Sequence, residues 1–543
     1  MALTAFLSFG LALRAGLAVS IGAGITFLFS FYKHRSRMVG MPKPPWTPIL
    51  GNLKIMGELA ASLPPGIHPH TYIHYLQEKY NLPDIFYIDS WPFGDQILAI
   101  VNPDVATSVT VQHSLPKHAS LNRSIWPITG YKSLVALEGK EHKTWRAVFN
   151  PGFASGHLMT LVPGIVDDCV IFMHQLSGYA KSREIFQLEG AATKVTIDII
   201  GQVVLDTQMH AQTSENEFVT AFRSQLTWLP DQTEINPLKR INPLRPFMIK
   251  YNEWRMDKYL MNIMSQRWTS RLETGPMEQK KRSRPVIDLA LDSYQESGDV
   301  DNGHLDRIKF QKAALQHIKV FMFGGHDTTS STICWVAYAL SRYPDCLRRF
   351  RKECDEVFGP DPSQTAQKIK DQAHLISELQ YSAAIIKETL RLWPAASSVR
   401  RGEPGFFLHH EGRQYETYED MIAWPVAHAL HTSPKLWPDS TKFIPDRWLV
   451  KEGDPLYPIK GAWRPFEFGN RSCIGQELAV IETKIIMALM LRTFTIETAY
   501  EELDKAAGRK SDKMMTPEGD RAYQVLIATA KPVDGMPCRI YRN

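Results

Sequence analysis

Residues 466–475, with the sequence FEFGNRSCIG, constrain the fold of this chain more than any other segment. They hold one thiol, Cys473, with Arg471 two residues before it and glycines on both sides. Glycine adopts backbone angles that other residues avoid, and it lets a flat ligand approach the main chain closely. A thiolate is a soft, electron-donating ligand that suits iron. A cysteine that is only a small buried hydrophobe needs no such setting. The segment therefore predicts a loop that presents Cys473 to an iron-bearing planar cofactor.

The spacing F-x-x-G-x-R-x-C-x-G resembles the heme-binding loop of the cytochrome P450 superfamily, the heme-thiolate monooxygenases. The resemblance covers residues 40–530, and details such as WRAVFNPGF at 145–153 are similar to filamentous-fungal members. It implies a mainly α fold with small β-sheets and heme b (iron protoporphyrin IX) bound by the Cys473 thiolate. It also implies that dioxygen is used to hydroxylate or otherwise oxidise a lipophilic small molecule, in fungi often a secondary metabolite.

Helical patterns dominate the chain from residue 70 onward, and no alternation of strands and helices indicates a parallel sheet. We expect a single, mainly α-helical domain with a minor sheet component. Residues 225–255 are irregular and apolar, and the resemblance favours a substrate lid there over a plain loop. Residues 274–302 are polar and predict a solvated connection. Short strands are predicted at Phe86–Ile88, Ile97–Val101, Phe406–His409 and Tyr523–Ile527.

Residues 1–37 predict a membrane anchor with a basic flank. The run Ala15–Tyr32 is eighteen uncharged residues, enough to cross most of a bilayer core at ~1.5 Å per residue. Lys33, Arg35 and Arg37 follow at once, an arrangement typical of a cytoplasmic flank. A cleaved signal peptide is the alternative, but its positive charges would precede the apolar run.

Residues 38–52 contain four prolines and predict a stiff, extended hinge between the anchor and the body. Residues 53–543 show no compositional break and are expected to form the heme-thiolate monooxygenase domain. The six cysteines lack a pairing pattern, which favours a reducing compartment. With the resemblance, these features imply a single-pass protein of the endoplasmic reticulum membrane whose catalytic domain is cytoplasmic.

The run Phe310–Tyr343 predicts one long helix that breaks its own local rules at the centre. Gly324 and Gly325 are followed by Asp327, by Thr328 and by four further hydroxyl residues, all poor helix formers. Hydroxyls that bond back to the preceding turn predict a local bulge or kink. The pattern resembles the central-helix motif of the P450 superfamily. The resemblance implies room for a ligand at the glycines and proton relay by Asp327 and Thr328.

Glu388 and Arg391 are three residues apart on one helical face, where an exposed ion pair is the plain alternative. With Arg447 in PDRW at 445–448, they resemble the E-x-x-R and P-x-R segments of the P450 superfamily. The resemblance implies a buried structural triad that braces the Cys473 loop.

Heme propionates favour cations and hydrogen-bond donors from separate segments. Arg471 is one candidate, and Arg400, with Arg401 as a substitute, is another. Arg146 matches the arginine of the superfamily's W-x-x-x-R segment, whereas His142 stands where tryptophan is usual. A solvated surface cation is the alternative for each of them.

The chain carries no flavin or nicotinamide motif, so electrons must come from a separate protein. The resemblance implies a membrane-bound NADPH-dependent flavoprotein reductase, with cytochrome b5 as a second candidate donor. A basic face near Lys143, Arg464 and Lys484 is a candidate docking site, and a solvated face is its alternative.

The net charge of +5 does not indicate nucleic-acid binding. Two other functions stay open: a reductase-independent isomerase or dehydratase, and a membrane-tethered heme sensor without catalysis.

Overall fold

The computed structural model describes residues 2–92, 94–229, 242–273, 284–296 and 307–543. Most of these residues are helical, as the periodicity predicts. The helices, α1 to α18 in chain order, are Ala2–Arg37, Leu53–Ser62, Pro69–Lys79, Pro103–Thr107, Ala119–Thr129, Gly139–Phe149, Ser155–Ser182, Leu188–Leu205, Glu217–Thr227, Arg245–Glu273, Val286–Glu296, Arg307–Arg342, Pro344–Phe358, Thr365–Asp371, Gln380–Leu392, Ala427–Thr432, Gln476–Thr493 and Tyr500–Ala506.

Short strands form small sheets at the edges of the helical body. The largest sheet has the order β1-β2-β7-β4, in which β2 and β7 are parallel and the other pairs antiparallel. The remaining sheets are β3-β11-β8, β5-β6 and β9-β10. The strands, β1 to β11 in chain order, are Ile85–Ile88, Ile97–Ile100, Phe186–Gln187, Arg400–Arg401, Phe407–His410, Arg413–Glu416, Ile422–Pro425, Phe494–Thr498, Gln524–Ile527, Thr529–Pro532 and Pro537–Arg542. The four predicted strands are confirmed to within one residue at each end.

Helix α12 runs through the centre of the body and packs against α5, α8, α10, α13, α15 and α17. Its apolar residues are buried around much of its circumference, which is why its pattern lacks a strong polar face. The predicted helix is therefore confirmed. A helix buried on most sides is a rigid wall, and α12 forms one side of the cavity described below.

Residues 38–52 fold back on the body instead of running extended, so that part of the hinge prediction is wrong. Turns at Met38 and Met41 begin the segment, and Asn52 is buried at its end. The side chain of Arg35, near the end of α1, forms a buried ion pair with Asp89. Burial of these polar groups against one another favours a folded junction over a free linker.

Among the residues that the structure describes, two helices are long and apolar enough to cross a membrane by length and composition. The span Arg14–Arg37 has no buried residues in its apolar window, whereas Ser155–Ser182 is a core helix with 44% of its window buried. An apolar helix whose hydrophobic window is not buried by the protein is compatible with a membrane anchor.

The predictions for residues 225–255 and 274–302 are partly wrong. Helix α10 begins at Arg245, because Pro246 fits the first turn, where its missing N–H has no partner to lose. Helix α11 buries Val286, Ile287, Ala290 and Leu291 on one face, so it is no solvated connection. The other parts of both predictions, 230–241, 274–283 and 297–302, lie outside the described residues.

Candidate active site

The Cys473 loop is held by its own backbone and opens into an internal cavity. The N–H of Cys473 donates to the carbonyl of Phe466 at 2.8 Å, which closes the loop. Gly469 has φ +75°, and a Cβ there would lie 3.3 Å from Val111, so glycine is required on both counts. The exposed surface of Cys473 faces the cavity, not the outside of the protein.

The electrostatics at the sulfur combine opposing effects. Burial raises the pKa of the Cys473 thiol, while the N–H of Gly475 and the charge of Arg146 lower it. Helix α17 begins at Gln476, so its positive N-terminal end lies close to the sulfur. The Gly475 N–H, the Arg146 charge and the helix end favour the thiolate, the form that binds metals, although burial on balance keeps the pKa above its ordinary value.

Glu388, Arg391 and Arg447 meet as the predicted triad, with all three side chains fully buried. Arg391 Nη2 lies 2.8 Å from Glu388 Oε1, and Arg447 Nε lies 3.1 Å from the same oxygen. The indole N–H of Trp448 and the backbone N–H of Ile444 also donate to the Glu388 carboxylate. Five donated hydrogen bonds therefore compensate the buried negative charge.

A neutral histidine links this triad to the Cys473 loop. His431 lies 3.0 Å from the Arg391 carbonyl through Nδ1 and accepts the backbone N–H of Arg464 through Nε2 at 2.9 Å. Burial and the charge of Arg391 lower the pKa of His431 to about 3, so the ring is neutral. Arg464 in turn pairs with Glu467 inside the loop, at 2.9 Å. This path was not predicted from the sequence.

Arg471, Arg146 and His142 line the same cavity as Cys473, as expected. Arg471 donates to the Leu137 carbonyl at 2.7 Å, and Arg146 donates to the Ser472 carbonyl at 2.7 Å. Their guanidinium groups are therefore fixed by backbone oxygens of neighbouring segments.

Arg400 is completely buried beside Lys117, and the two residues form an isolated antiparallel bridge. Its Nε and Nη2 have no hydrogen-bond partner among the described residues, although Nη1 donates to Leu115. Arg401 is exposed, which leaves Arg400 as the candidate. Lys117 lines the cavity and was missed, because a lone lysine before a helix carries no distinctive signal.

The buried cations oppose one another. Burial and the charges of Arg400 and Arg471 lower the pKa of the Lys117 amine to about 7. Burial and the charges of Arg471 and Arg146 lower the pKa of His142 to about 4. A site that concentrates positive charge in this way favours an anionic ligand.

The cavity has a volume of about 340 Å³ and separates the Cys473 loop from helix α12. Gly324, Gly325, Thr328 and Thr329 contribute its α12 wall. A Cβ at Gly324 would meet open space, whereas one at Gly325 would lie 2.7 Å from Ile200 of α8. Gly325 is thus explained by the close packing of two helices as well as by room in the cavity.

The hydroxyls of α12 bond back along the helix without breaking it. Thr328 Oγ1 donates to the Gly324 carbonyl at 2.8 Å, and Thr332 does the same to Thr328 at 2.9 Å. The helix stays α-helical throughout, so the predicted bulge is wrong. A carbonyl oxygen has two lone pairs and can accept the hydroxyl without losing its helical N–H.

Asp327 lies beside Thr328 in the chain but is not part of the cavity wall. Its carboxylate pairs with Lys531 at 3.0 Å and accepts the Thr529 hydroxyl at 2.5 Å. Lys531 also bonds Glu189 at 2.6 Å. The predicted acid therefore faces a buried ion network, away from the cavity.

Residues 41–523 match the protein family described as Cytochrome P450. The chain belongs to the cytochrome P450 family. This P450 is 37% identical to cytochrome P450 monooxygenase polC of Polytolypa hystricis, over 98% of this chain and 95% of that relative. It is 34% identical to cytochrome P450 monooxygenase acrF of Aspergillus aculeatus, over 88% and 98% of the two chains. The crystal structure of the cytochrome P450DA heme domain shares its fold, with a TM-score of 0.69, 18% identity and coverage of 93% and 98%.

This P450 is accordingly a monooxygenase, and the cofactor of its family is a heme bound by a cysteine thiolate. The residues of the cavity fit such a group independently of the family match. A thiol opens into it, cations surround it, and the unpartnered N–H groups of the buried Arg400 lie beside one of those cations. Carboxylates of a bound heme would satisfy such donors.

The predicted basic docking face is wrong for two of its three residues. Arg464 and Lys484 are buried, and Lys484 donates to the Ile376 carbonyl at 3.0 Å. Only Lys143 is exposed. Both buried cations serve internal hydrogen bonds of the P450 body, which the sequence does not distinguish from surface charge.

Proposed function

We propose that this P450 is a membrane-anchored heme-thiolate monooxygenase that oxidises a lipophilic small molecule, with Cys473 as the axial ligand. The supporting observation is the opening of Cys473 into a cavity that is lined by the half-buried cations Lys117, Arg146 and Arg471 and by helix α12. The Gly475 N–H and Arg146 would moderate the donor strength of the thiolate. When bound, the heme supplies dioxygen activation and transfer of one oxygen atom to the substrate.

Arg471, Arg146, His142 and Arg400, together with Lys117, would hold the propionates. Lys117, His142, Arg146 and Arg471 support this role because they line the cavity from three separate segments. Arg400 is not part of the lining and lies behind it, paired by a backbone bridge with Lys117. The triad of Glu388, Arg391 and Arg447 would support heme retention through His431 and the loop, without contact to the reacting atoms.

The α12 wall supports roles in substrate and proton handling. Thr328 presents a hydroxyl and Gly324 leaves open space beside it, so a small oxygen species or a water could be oriented there. Asp327 would relay a proton only after leaving Lys531. The rest of the cavity lining is mainly apolar, which favours a lipophilic substrate; it includes Leu121, Val320, Phe321, Leu390 and Ala395.

The fungal relatives support a secondary metabolite as the substrate class. Residues 1–37 would anchor the protein in the endoplasmic reticulum membrane, with 38–52 as a folded hinge and 53–543 as the cytoplasmic heme domain. Electrons would come from a membrane-bound NADPH-dependent flavoprotein reductase, with cytochrome b5 as a second candidate donor.

The test replaces Cys473 by alanine and compares it with Cys346→Ala, at a half-buried cysteine away from the cavity. We expect the reduced carbon monoxide complex to keep its red-shifted Soret absorption in the control and to lose it in Cys473→Ala. Retention in Cys473→Ala would refute the ligand assignment.

Reductant-dependent consumption of dioxygen is expected from the wild-type protein with a reductase, whereas turnover without reductant and without dioxygen would favour an isomerase. Deletion of the gene should cause accumulation of a precursor that lacks one oxygen atom.

A further inference from the structure

The last turn of the anchor helix α1 is joined to the body of the protein by a buried ion pair. Arg35 is 5% exposed, and Asp89, which directly follows β1, is completely buried. The Arg35 guanidinium pairs with the Asp89 carboxylate and also donates to the carbonyls of Ile49 at 2.8 Å and Trp91 at 3.0 Å. Removal of one partner of a buried ion pair is strongly disruptive, because the other charge is then left uncompensated. Arg35 therefore connects α1 to two separate segments of the body.

The residues around this ion pair hold both of its members in place. Trp46 donates its indole N–H to the Asp89 carboxylate at 3.0 Å, and the Asn52 side chain accepts the backbone N–H of Asp89 at 2.8 Å. Gly51 has φ +60°, and a Cβ there would lie 2.6 Å from both the Arg35 guanidinium and the Asp89 carbonyl. Glycine is therefore required for the guanidinium to fit, and the hinge encloses the end of α1.

One aromatic side chain of the body extends this contact along α1. Trp91 packs against the rings of Phe27, Phe31 and His34, with centroids 5.3, 5.9 and 5.2 Å away. These positions are spaced i, i+4 and i+7 and so lie on one face of the helix. Phe27 precedes Arg35 by about 12 Å along the helix axis, at ~1.5 Å per residue. The body therefore contacts about two turns of α1, and not only its end.

The position of Trp91 along α1 sets its depth in a bilayer. The uncharged run Ala15–Tyr32 includes Phe27 and Phe31, and Lys33 is the first charge after it. A helix that spans the bilayer with this run places the two phenylalanines in the last turns before the lipid headgroups. Trp91 lies beside them, at the level where tryptophan is favoured. The turn after β1 would therefore enter the membrane surface next to α1.

Exposed apolar side chains surround the same junction. Val39, Ile49 and Leu50 are 71%, 74% and 44% exposed, and the Ile49 carbonyl accepts a hydrogen bond from Arg35. Large apolar side chains that are this exposed in one short segment are typical of a contact with a membrane or another protein. Because α1 would enter the bilayer at this point, lipid is the partner that these side chains would meet.

We propose that the anchor is docked on the body through Arg35, Asp89 and Trp91, so that α1 and the catalytic domain meet the bilayer as one rigid unit with Trp91 at the lipid surface. The proposal rests on the proposed function, because it requires α1 to span a membrane. The rigid unit sets the orientation of the cavity relative to the bilayer, from which a lipophilic substrate would arrive. The alternative is a loose tether, in which the domain rotates freely at the end of α1.

The first experiment measures the orientation of the heme in the full-length, heme-loaded protein bound to stacked, flat phosphatidylcholine bilayers. Linear dichroism of the Soret band reports the tilt of the heme plane, and a docked anchor should give a clear signal. Asp89→Asn removes the charge and keeps an acceptor oxygen for Trp46, so the fold should survive, and the red-shifted carbon monoxide complex checks this. We expect the dichroism to be largely lost in Asp89→Asn and in Trp91→Ser. It should be retained in Glu58→Gln, which breaks an exposed pair with Lys54 at 3.9 Å. Wild-type dichroism in both junction variants would overturn the proposal, as would isotropic absorption by the wild-type protein.

The second experiment asks whether the turn after β1 reaches lipid. The heme-loaded protein is bound to phosphatidylcholine vesicles that carry a photoactivatable diazirine in the acyl chain, and the adducts formed on illumination are located by mass spectrometry. We expect adducts on α1 and on the turn that contains Trp91, and loss of the turn adducts in Asp89→Asn. Adducts confined to α1 in the wild-type protein would overturn the proposal. If the full-length protein does not bind the vesicles at all, the proposed membrane anchoring itself is wrong, which is a failure distinct from that of the docking.

Discussion

Two groups of charged side chains lie near the Cys473 loop, and their charges are arranged in opposite ways. In the triad, Glu388 is surrounded by donors from Arg391, Arg447, Trp448 and Ile444. In the cation group around Lys117, positive charges lower one another's proton affinity, and the guanidinium of Arg400 keeps unpartnered N–H groups. The first group is electrically complete within the protein. In the second, Glu138 pairs with Arg471 at 3.1 Å, and it is Arg400 that lacks an anionic partner among the described residues.

The difference separates two contributions to heme binding. A compensated ion network stabilises the polypeptide itself, because removal of one member leaves the others as unpaired buried charges. Positive charges held close together destabilise the heme-free protein. That free energy is recovered when a carboxylate binds beside them. Substitutions in the triad should therefore affect unfolding, and substitutions in the cation group should affect retention of the cofactor.

The largest effect is expected from Glu388→Gln. The change leaves Arg391 and Arg447 without their shared carboxylate in a fully buried site, which should lower the free energy of unfolding by ~3–5 kcal/mol. Urea unfolding of the heme-loaded protein measures this. The matched control is Glu356→Gln, which removes the exposed pair of Glu356 with Lys352 at 3.7 Å and should cost no more than ~1 kcal/mol. Equal losses in the two variants would remove the distinction between the groups.

A moderate effect is expected from Arg400→Met, which should accelerate heme loss while leaving unfolding nearly unchanged. The variant deletes a buried cation whose N–H groups lack protein partners, and a hydrogen bond to a charged group contributes ~1.5–3 kcal/mol. Transfer of heme to excess apomyoglobin should therefore be about 10- to 100-fold faster. Arg401→Met at the exposed neighbour is the control. If Arg400→Met unfolds as readily as Glu388→Gln, Arg400 belongs to the structural group.

The sequence identifies the two groups unequally. Cys473, the glycines of α12 and the Glu388–Arg391 pair follow short spacings within one loop or helix, and local spacing is what a sequence displays. Lys117, Glu482 and Lys531 acquire their environment from contacts more than a hundred residues away in the chain, so no local pattern indicates them. The buried apolar face of α11 was not predicted, because the sequence on both sides of this helix is strongly polar.

The burial of Arg464 and Lys484 was missed for a related reason. From the sequence alone a basic residue is expected to be exposed, because burial of an unpaired charge is costly. Arg464 is buried because Glu467 lies 2.9 Å away, and Lys484 because it caps the Ile376 carbonyl. Partners that compensate a charge are visible only once the chain is folded.

The smallest expected effect is a pH dependence of heme retention that depends on Lys117. In the heme-free protein, burial and the charges of Arg400 and Arg471 outweigh those of Glu467 and Glu138 and lower the pKa of this amine to about 7, so above neutral pH it lacks a proton that an ordinary lysine keeps. Bound carboxylates would raise the pKa again, and heme binding then takes up a proton. Heme affinity should accordingly fall from pH 7 to pH 9 by at most about tenfold per pH unit. Lys117→Met should flatten this slope in the heme-transfer assay, whereas Lys143→Met at an exposed lysine should not. A slope that persists in Lys117→Met would show that the cation group does not bind the anionic part of the cofactor.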